Sequence, residues 1–137
     1  MDGGEAPDQS GTARPEITVV RLTRRPQFLF VRSGTTIRKK NLLVQARRRA
    51  PHGQNLIAPT QIGEGFTATK KIGNAVARNR AKRRLRAAAH TLLPRFGIAG
   101  VDYVFVARRQ TGEVDWASLL DDMESALVSL GAEFAID

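Results

Sequence analysis

Between Lys70 and Arg86 the chain reads KKIGNAVARNRAKRRLR, eight basic residues and no acidic one. Through this segment and beyond it, Ala77, Ala81, Leu85, Ala88 and Leu92 recur at spacings of four, four, three and four. Those intervals place all five on one side of an α-helix. At about 100° per residue, Arg78, Arg80, Lys82, Arg83 and Arg86, with Asn79 among them, spread over the rest of its circumference. The segment is therefore expected as a long helix, docked by an apolar stripe and cationic outside. Asn74 suits its N-cap, and Pro94 and Gly97 are its expected stops.

The rest of the chain arranges itself around that helix. Residues 1–16 are rich in Gly, Pro, Asp and Ser, and such a composition predicts a disordered acidic tail. Residues 17–137 are expected to form a single domain. RRPQFLFVRSG predicts a short helix, with Pro26 in the first turn and Gly34 past the end. NLLVQA (41–46) and IGEGFTATK (62–70) predict strands. RRRAPHGQNLIAPTQ (47–61) predicts an irregular connection. VDYVFVA (101–107) is almost wholly apolar, as a central strand buried on both faces would be. A last helix is expected from an Asp115 N-cap to Gly131, with Trp116, Leu119, Leu120, Met123, Leu127 and Leu130 inward. Asp121, Asp122 and Glu124 would form its solvated face, turned from any ligand. Helix, strands, helix, strand, helix is the order of a small α/β sandwich.

Charge is segregated along the chain. Residues 17–109 hold 21 of the 22 Lys and Arg against only Glu64 and Asp102, while 110–137 hold seven acidic residues and no basic one. A core so charged repels itself, so its function points to a polyanion, and nucleic acid is the usual one. Arg offers a planar fork matched to phosphate oxygens. Phe28, Phe30 and Phe66 are either core residues or platforms on which bases stack.

The residues that catalysis would need are sparse. There is no Cys, and the two His are His52 and His90. Both read as surface residues. Glu64 and Asp102 read as isolated acids and make a poor two-metal site. No catalytic residue is assigned, and no metal ligand is identified. No apolar run approaches the ~20 residues that span a bilayer, and the acidic N-terminus lacks the apolar core of a secretory signal. A cytoplasmic protein with no membrane partner is expected.

TKKIGNAVARNRAKRRLR, Thr69 to Arg86, resembles the RNR signature of the bacterial ribonuclease P protein component, including Gly73-Asn74, Arg78-Asn79-Arg80 and Lys82-Arg83. RLTRRPQFLFVRSG, VDYVFVARR and DWASLLDDMESAL are similar to its opening, last strand and C-terminal helix, so the resemblance spans roughly residues 19–131. It implies an α+β two-layer sandwich of order αβββαβα, like the second domain of ribosomal protein S5. It also implies a left-handed βαβ crossover, against the usual hand. The function it implies is that of the protein subunit of ribonuclease P. Such a subunit pairs with a catalytic RNA subunit to remove the 5′ leader of precursor tRNA. The RNA and its Mg²⁺ ions would perform the hydrolysis, and no protein partner is required.

By the same resemblance, Lys70, Lys71, Asn74, Arg78, Asn79, Arg80, Lys82, Arg83 and Arg86 would bind the RNA subunit. Phe28, Arg32, Leu43, Gln45 and Thr67 would line the cleft for the leader. The chain departs from the family at Arg32, where a second aromatic is often found, and at Gln45, where Tyr is common. The Arg47-Arg48-Arg49 run reads either as an added RNA contact or as a solvated loop. Three other readings stay open on the residues alone: a ribosomal or ribosome-assembly RNA binder on the same fold, a DNA-binding protein using the basic helix, and a free-standing metal nuclease. The last two lack, respectively, a dimer seam and a carboxylate cluster.

Overall fold

The structure, a computed structural model, describes residues 18–50 and 57–134. The acidic tail expected over 1–16, and His52, lie outside the described residues. The elements are β1 (Thr18–Arg21), α1 (Arg25–Arg32), β2 (Thr35–Arg38), β3 (Leu42–Arg48), β4 (Gln61–Thr67), α2 (Ala75–Phe96), β5 (Val101–Ala107) and α3 (Trp116–Phe134), with a 3-10 turn at Lys70–Ile72 before α2. They form one mixed sheet in the order β1-β4-β5-β3-β2. β5 lies at the centre, antiparallel to β3 and parallel to β4. β4 and β5, the neighbours expected to be joined by a crossover, are connected through α2.

Period-two alternation divides the sheet into two faces. Val44, Ile62, Phe66, Tyr103 and Phe105 point into the main core, where Ala81, Leu85, Ala88, Leu92 and Leu93 of α2 and Leu119, Met123, Leu127 and Leu130 of α3 meet them. The stripe read from α2 is therefore its docked side, except that Ala77 is only half-buried. The opposite face carries a much smaller cluster, Leu22, Val31 and Val104, joined by Phe28, Phe30, Ile57 and Val106. Among the described residues α1 covers that face in part.

The structure corrects several boundaries. β1 and β2 add four-residue strands at the two edges of the sheet, so one strand precedes the expected order. β4 ends at Thr67, and Lys70 belongs to the 3-10 turn. Pro94 does not stop α2, which continues to Phe96 before the Gly97 C-cap. Proline in a helix interior removes one backbone bond and crowds the preceding turn. Here buried Leu92 and Leu93 hold that turn on the core. Gly131 does not stop α3 either. The extra turn is held by Thr35 Oγ1, which donates to Glu133 at 2.5 Å, and by Arg48, which donates to the Phe134 carbonyl at 2.6 Å. Asp122 is not part of a solvated face. It accepts from the backbone N–H and side-chain amide of Asn41, at 3.1 and 2.9 Å, and so fastens α3 to the start of β3.

Candidate nucleic-acid interface

The entry to α2 is built by backbone constraint. Gly73 has φ 142°, a conformation L side chains rarely adopt. The chain then turns into Asn74, whose Oδ1 accepts from the Ala77 N–H at 2.9 Å as the expected N-cap. The Asn74 oxygen is thus engaged in the fold. Arg78 is also partly engaged, donating to the Gly73 carbonyl at 2.8 Å. Lys70, Lys71, Asn79, Arg80, Arg83 and Arg86 are exposed, and Lys82 is half-buried. Among the described residues the ion pairs are Arg21–Glu64 and Arg49–Asp102, and neither takes a cation from α2. Arg84 faces inward instead. It donates to the carbonyls of Thr111 and Val114 at 2.7 and 2.5 Å, and its guanidinium lies 5.8 Å from the Trp116 ring. Among the described residues the basic face is therefore a surface of cations without ion-pair partners on α2, anchored from beneath.

The second surface lies on the other side of the sheet. Register sets Arg38 opposite Leu43, Leu43 opposite Val106, and Val106 opposite Thr67, one row across β2, β3, β5 and β4. Leu43, Val106 and Thr67 are each half-buried. Gln45 sits one row nearer α1, opposite Thr36 and Val104. Phe28 packs its ring on Gly65, where a Cβ would come within 2.6 Å of Phe28 Cε1. Arg32 follows Phe28 by one helical turn on the same side of α1 and is exposed. The result is an apolar strip floored by the sheet, walled by α1, with cations at Arg32 and Arg38. Val106 and Arg38 were missed in the sequence. Val106 was hidden in an apolar run, although alternation with Phe105 would have put it on this face. Arg38 lies in a strand too short to be read.

The chain matches the ribonuclease P family model over residues 18–131. The chain belongs to the ribonuclease P protein family. The ribonuclease P protein component of Caulobacter vibrioides strain NA1000 is 48% identical over 113 residues, covering 82% of this chain and 72% of that protein. That of Ruegeria pomeroyi is 42% identical over 128 residues, covering 92% of this chain and 96% of its own. The fold matches the RNase P protein of Staphylococcus aureus with a TM-score of 0.61 at 20% identity, covering 80% of this chain and 94% of that one. The RNase P protein of Thermotoga maritima matches with a TM-score of 0.60 at 21% identity, over 80% of this chain and 96% of that one. Family membership implies a ribonuclease P complex in which this chain is the protein subunit and ribonuclease P RNA its partner.

Other residues singled out in this ribonuclease P protein prove to serve the fold. Arg47 stacks 4.3 Å from the Phe30 ring and donates to the Phe30 carbonyl at 3.2 Å. Arg48 holds the end of α3. Arg49 is buried against Asp102. The run is therefore strand rather than loop at Arg47 and Arg48, which close β3 and remain exposed, while Arg49 is withdrawn into the interior. Phe66 lies on the α2 face of β4, opposite to Phe28, and stacks on Phe105 with centroids 5.5 Å apart. The three phenylalanines do not form one platform.

Glu64 is not isolated. It pairs with Arg21 at 3.5 Å, and Arg86 and His90 of α2 also act on it. Burial nevertheless dominates and pushes its carboxyl above the ordinary 4.5. A carboxyl raised in the folded state stabilises the fold below its unfolded value and loses that contribution as pH rises through the folded value. At neutral pH the ionised group is thus a net cost. Glu64→Gln is expected to raise the melting temperature at pH 7, with the gap to wild type closing as pH falls below 4.5. A lower melting temperature at pH 7 would show that the Arg21 pair outweighs burial.

Proposed function

We propose that this subunit grips the catalytic RNA of ribonuclease P through the outer face of α2 and holds the single-stranded 5′ leader of precursor tRNA in the strip beside α1. Positioned in this way, the leader junction is presented to the RNA subunit, which performs the hydrolysis. Mg²⁺ supplies the metal chemistry and is held mainly by the RNA and substrate. Among the described residues no three His, Cys, Asp or Glu side chains are grouped to hold an ion, and the protein is assigned binding and positioning only. Among the described residues no helix is long and apolar enough to cross a membrane. On this reading the subunit acts in the cytoplasm and requires no further protein partner.

The observation that carries this reading is the separation of two surfaces by one sheet. The cationic face of α2 is sequence-tolerant and suits a long phosphate backbone. The strip of Leu43, Val106 and Thr67 beside Phe28 is narrow and apolar, which suits unstacked bases. A base stacked on an aromatic side chain is worth about 1–3 kcal/mol. Phe28→Ala in the holoenzyme should weaken precursor tRNA by about that amount and leave mature tRNA unchanged. Gly65→Ala, whose added Cβ would displace the Phe28 ring, should show the same selectivity. Equal losses for precursor and mature tRNA would remove the leader from this strip.

A further inference from the structure

At the rim of the α2 surface, Arg86 takes part in an arrangement that reaches beyond the helix. Phe66, 9% exposed, lies where the outer strand β1 meets α2. Two guanidiniums from different elements are set against its ring: Arg21 of β1 at 5.3 Å and Arg86 of α2 at 5.7 Å from the centroid. An aromatic ring attracts a cation over its face, and a flat ring restricts where each guanidinium can go. The two cations cannot lie further apart than the sum of those distances, a span one phosphodiester backbone can bridge. Arg21 remains 45% exposed in its side chain, and Glu64, beside Phe66 on the same face of β4, is 14% exposed. The Arg21 Nε–Glu64 Oε2 separation of 3.5 Å is longer than a good hydrogen bond. Glu64 therefore faces Arg21 without holding it tightly, while His90, one turn beyond Arg86, adds a further group beside the carboxylate.

We propose that Arg21 and Arg86, both seated on Phe66, form a phosphate clamp that extends the α2 interface onto β1, and that an RNA phosphate displaces Glu64 from Arg21 on binding. The ligand is the backbone of the ribonuclease P RNA, each guanidinium taking one of two neighbouring phosphodiesters. The clamp rests on the assignment of α2 to that RNA. It adds a contact outside the helix and an internal anion that competes for it. Glu64 then sets a threshold: weak or isolated anions do not displace it, whereas a backbone already held along α2 does.

The test is binding of the cognate RNA subunit to the full-length protein across a salt series, with melting temperatures recorded for each variant. Arg21→Gln and Arg86→Gln should each flatten the log–log salt slope by about 0.7–0.9, one phosphate contact apiece. Glu64→Gln should tighten RNA binding several-fold, because the competitor loses its charge. A folded Arg21→Gln variant with the wild-type slope would overturn the clamp. Weaker binding by Glu64→Gln would overturn the competition, since it would mean that Glu64 orients Arg21 for the phosphate. A slope change seen with precursor tRNA but not with the RNA subunit would overturn the assignment to the RNA subunit. Failure of the wild-type protein to bind the RNA at all would instead remove the α2 assignment beneath it.

Discussion

Arg49→Ala should destabilise the protein by about 3–5 kcal/mol, the usual range when one member of a buried ion pair is removed. The Arg49 and Asp102 side chains are 5% and 0% exposed. Arg49 donates to Asp102 and also to the carbonyls of Ala58 and Gln61, at 2.7 and 2.5 Å. One guanidinium thus ties the end of β3, the turn leading into β4, and the middle of the sheet. Its removal leaves a buried carboxylate without this cation and takes one of two donors from each carbonyl, which keep the backbone N–H groups of Gln61 and Gly100. Gly63 makes room for the pair, since a Cβ there would fall 2.1 Å from Asp102 Oδ1. Urea unfolding measures the loss. Arg49→Met combined with Asp102→Leu should recover part of it, because an apolar replacement strands no charge. Recovery will be incomplete, since the guanidinium's bonds to the two carbonyls are not replaced. A loss below about 1 kcal/mol for Arg49→Ala would mean that water reaches Asp102 and that this pair does not fasten the turn.

Replacing Arg80, Lys82 and Arg83 together with Ala should cost RNA affinity without costing the helix, because Ala is the strongest helix former. Each lost phosphate contact flattens the salt dependence by about 0.7–0.9 of a log unit per log unit. Three contacts lower the slope by about 2–3 units. Wild type and variant should therefore converge by roughly 15- to 60-fold as salt rises from about 50 to 200 mM. Parallel salt dependences with a constant offset would show that these side chains act through packing. Lys82 is the most informative single replacement, since it is half-buried. A slope change of much less than 0.7 from it alone would move the contact to its two neighbours.

The parts of this fold legible in the sequence were those fixed by local periodicity. The stripe from Ala81 to Leu92 and the apolar run Val101–Ala107 each had one reading, and both are buried as read except at Val106, which is half-buried. β1 and β2 were not legible because four residues at a sheet edge hold no full alternation, and their state depends on the strand beside them. Pro94 and Gly131 misled because local breakers lose to tertiary contacts in a docked last turn. The Arg49–Asp102 pair was invisible for a different reason: its partners are 53 residues apart, and nothing local distinguishes Arg49 from Arg47 and Arg48. In the candidate site, the cationic face of α2 was legible as a helical pattern. The leader strip was legible only through resemblance, and its central Val106 came from β-sheet register.

The most direct test of the two-surface account is leader removal by the holoenzyme reconstituted from this protein, the cognate ribonuclease P RNA and precursor tRNA at limiting Mg²⁺. The account predicts that the protein accelerates cleavage by the RNA, that precursor tRNA gains affinity over mature tRNA, and that lengthening the leader across the α1 strip increases that gain. Cleavage by the protein without RNA, or an acceleration indifferent to the leader, would contradict it.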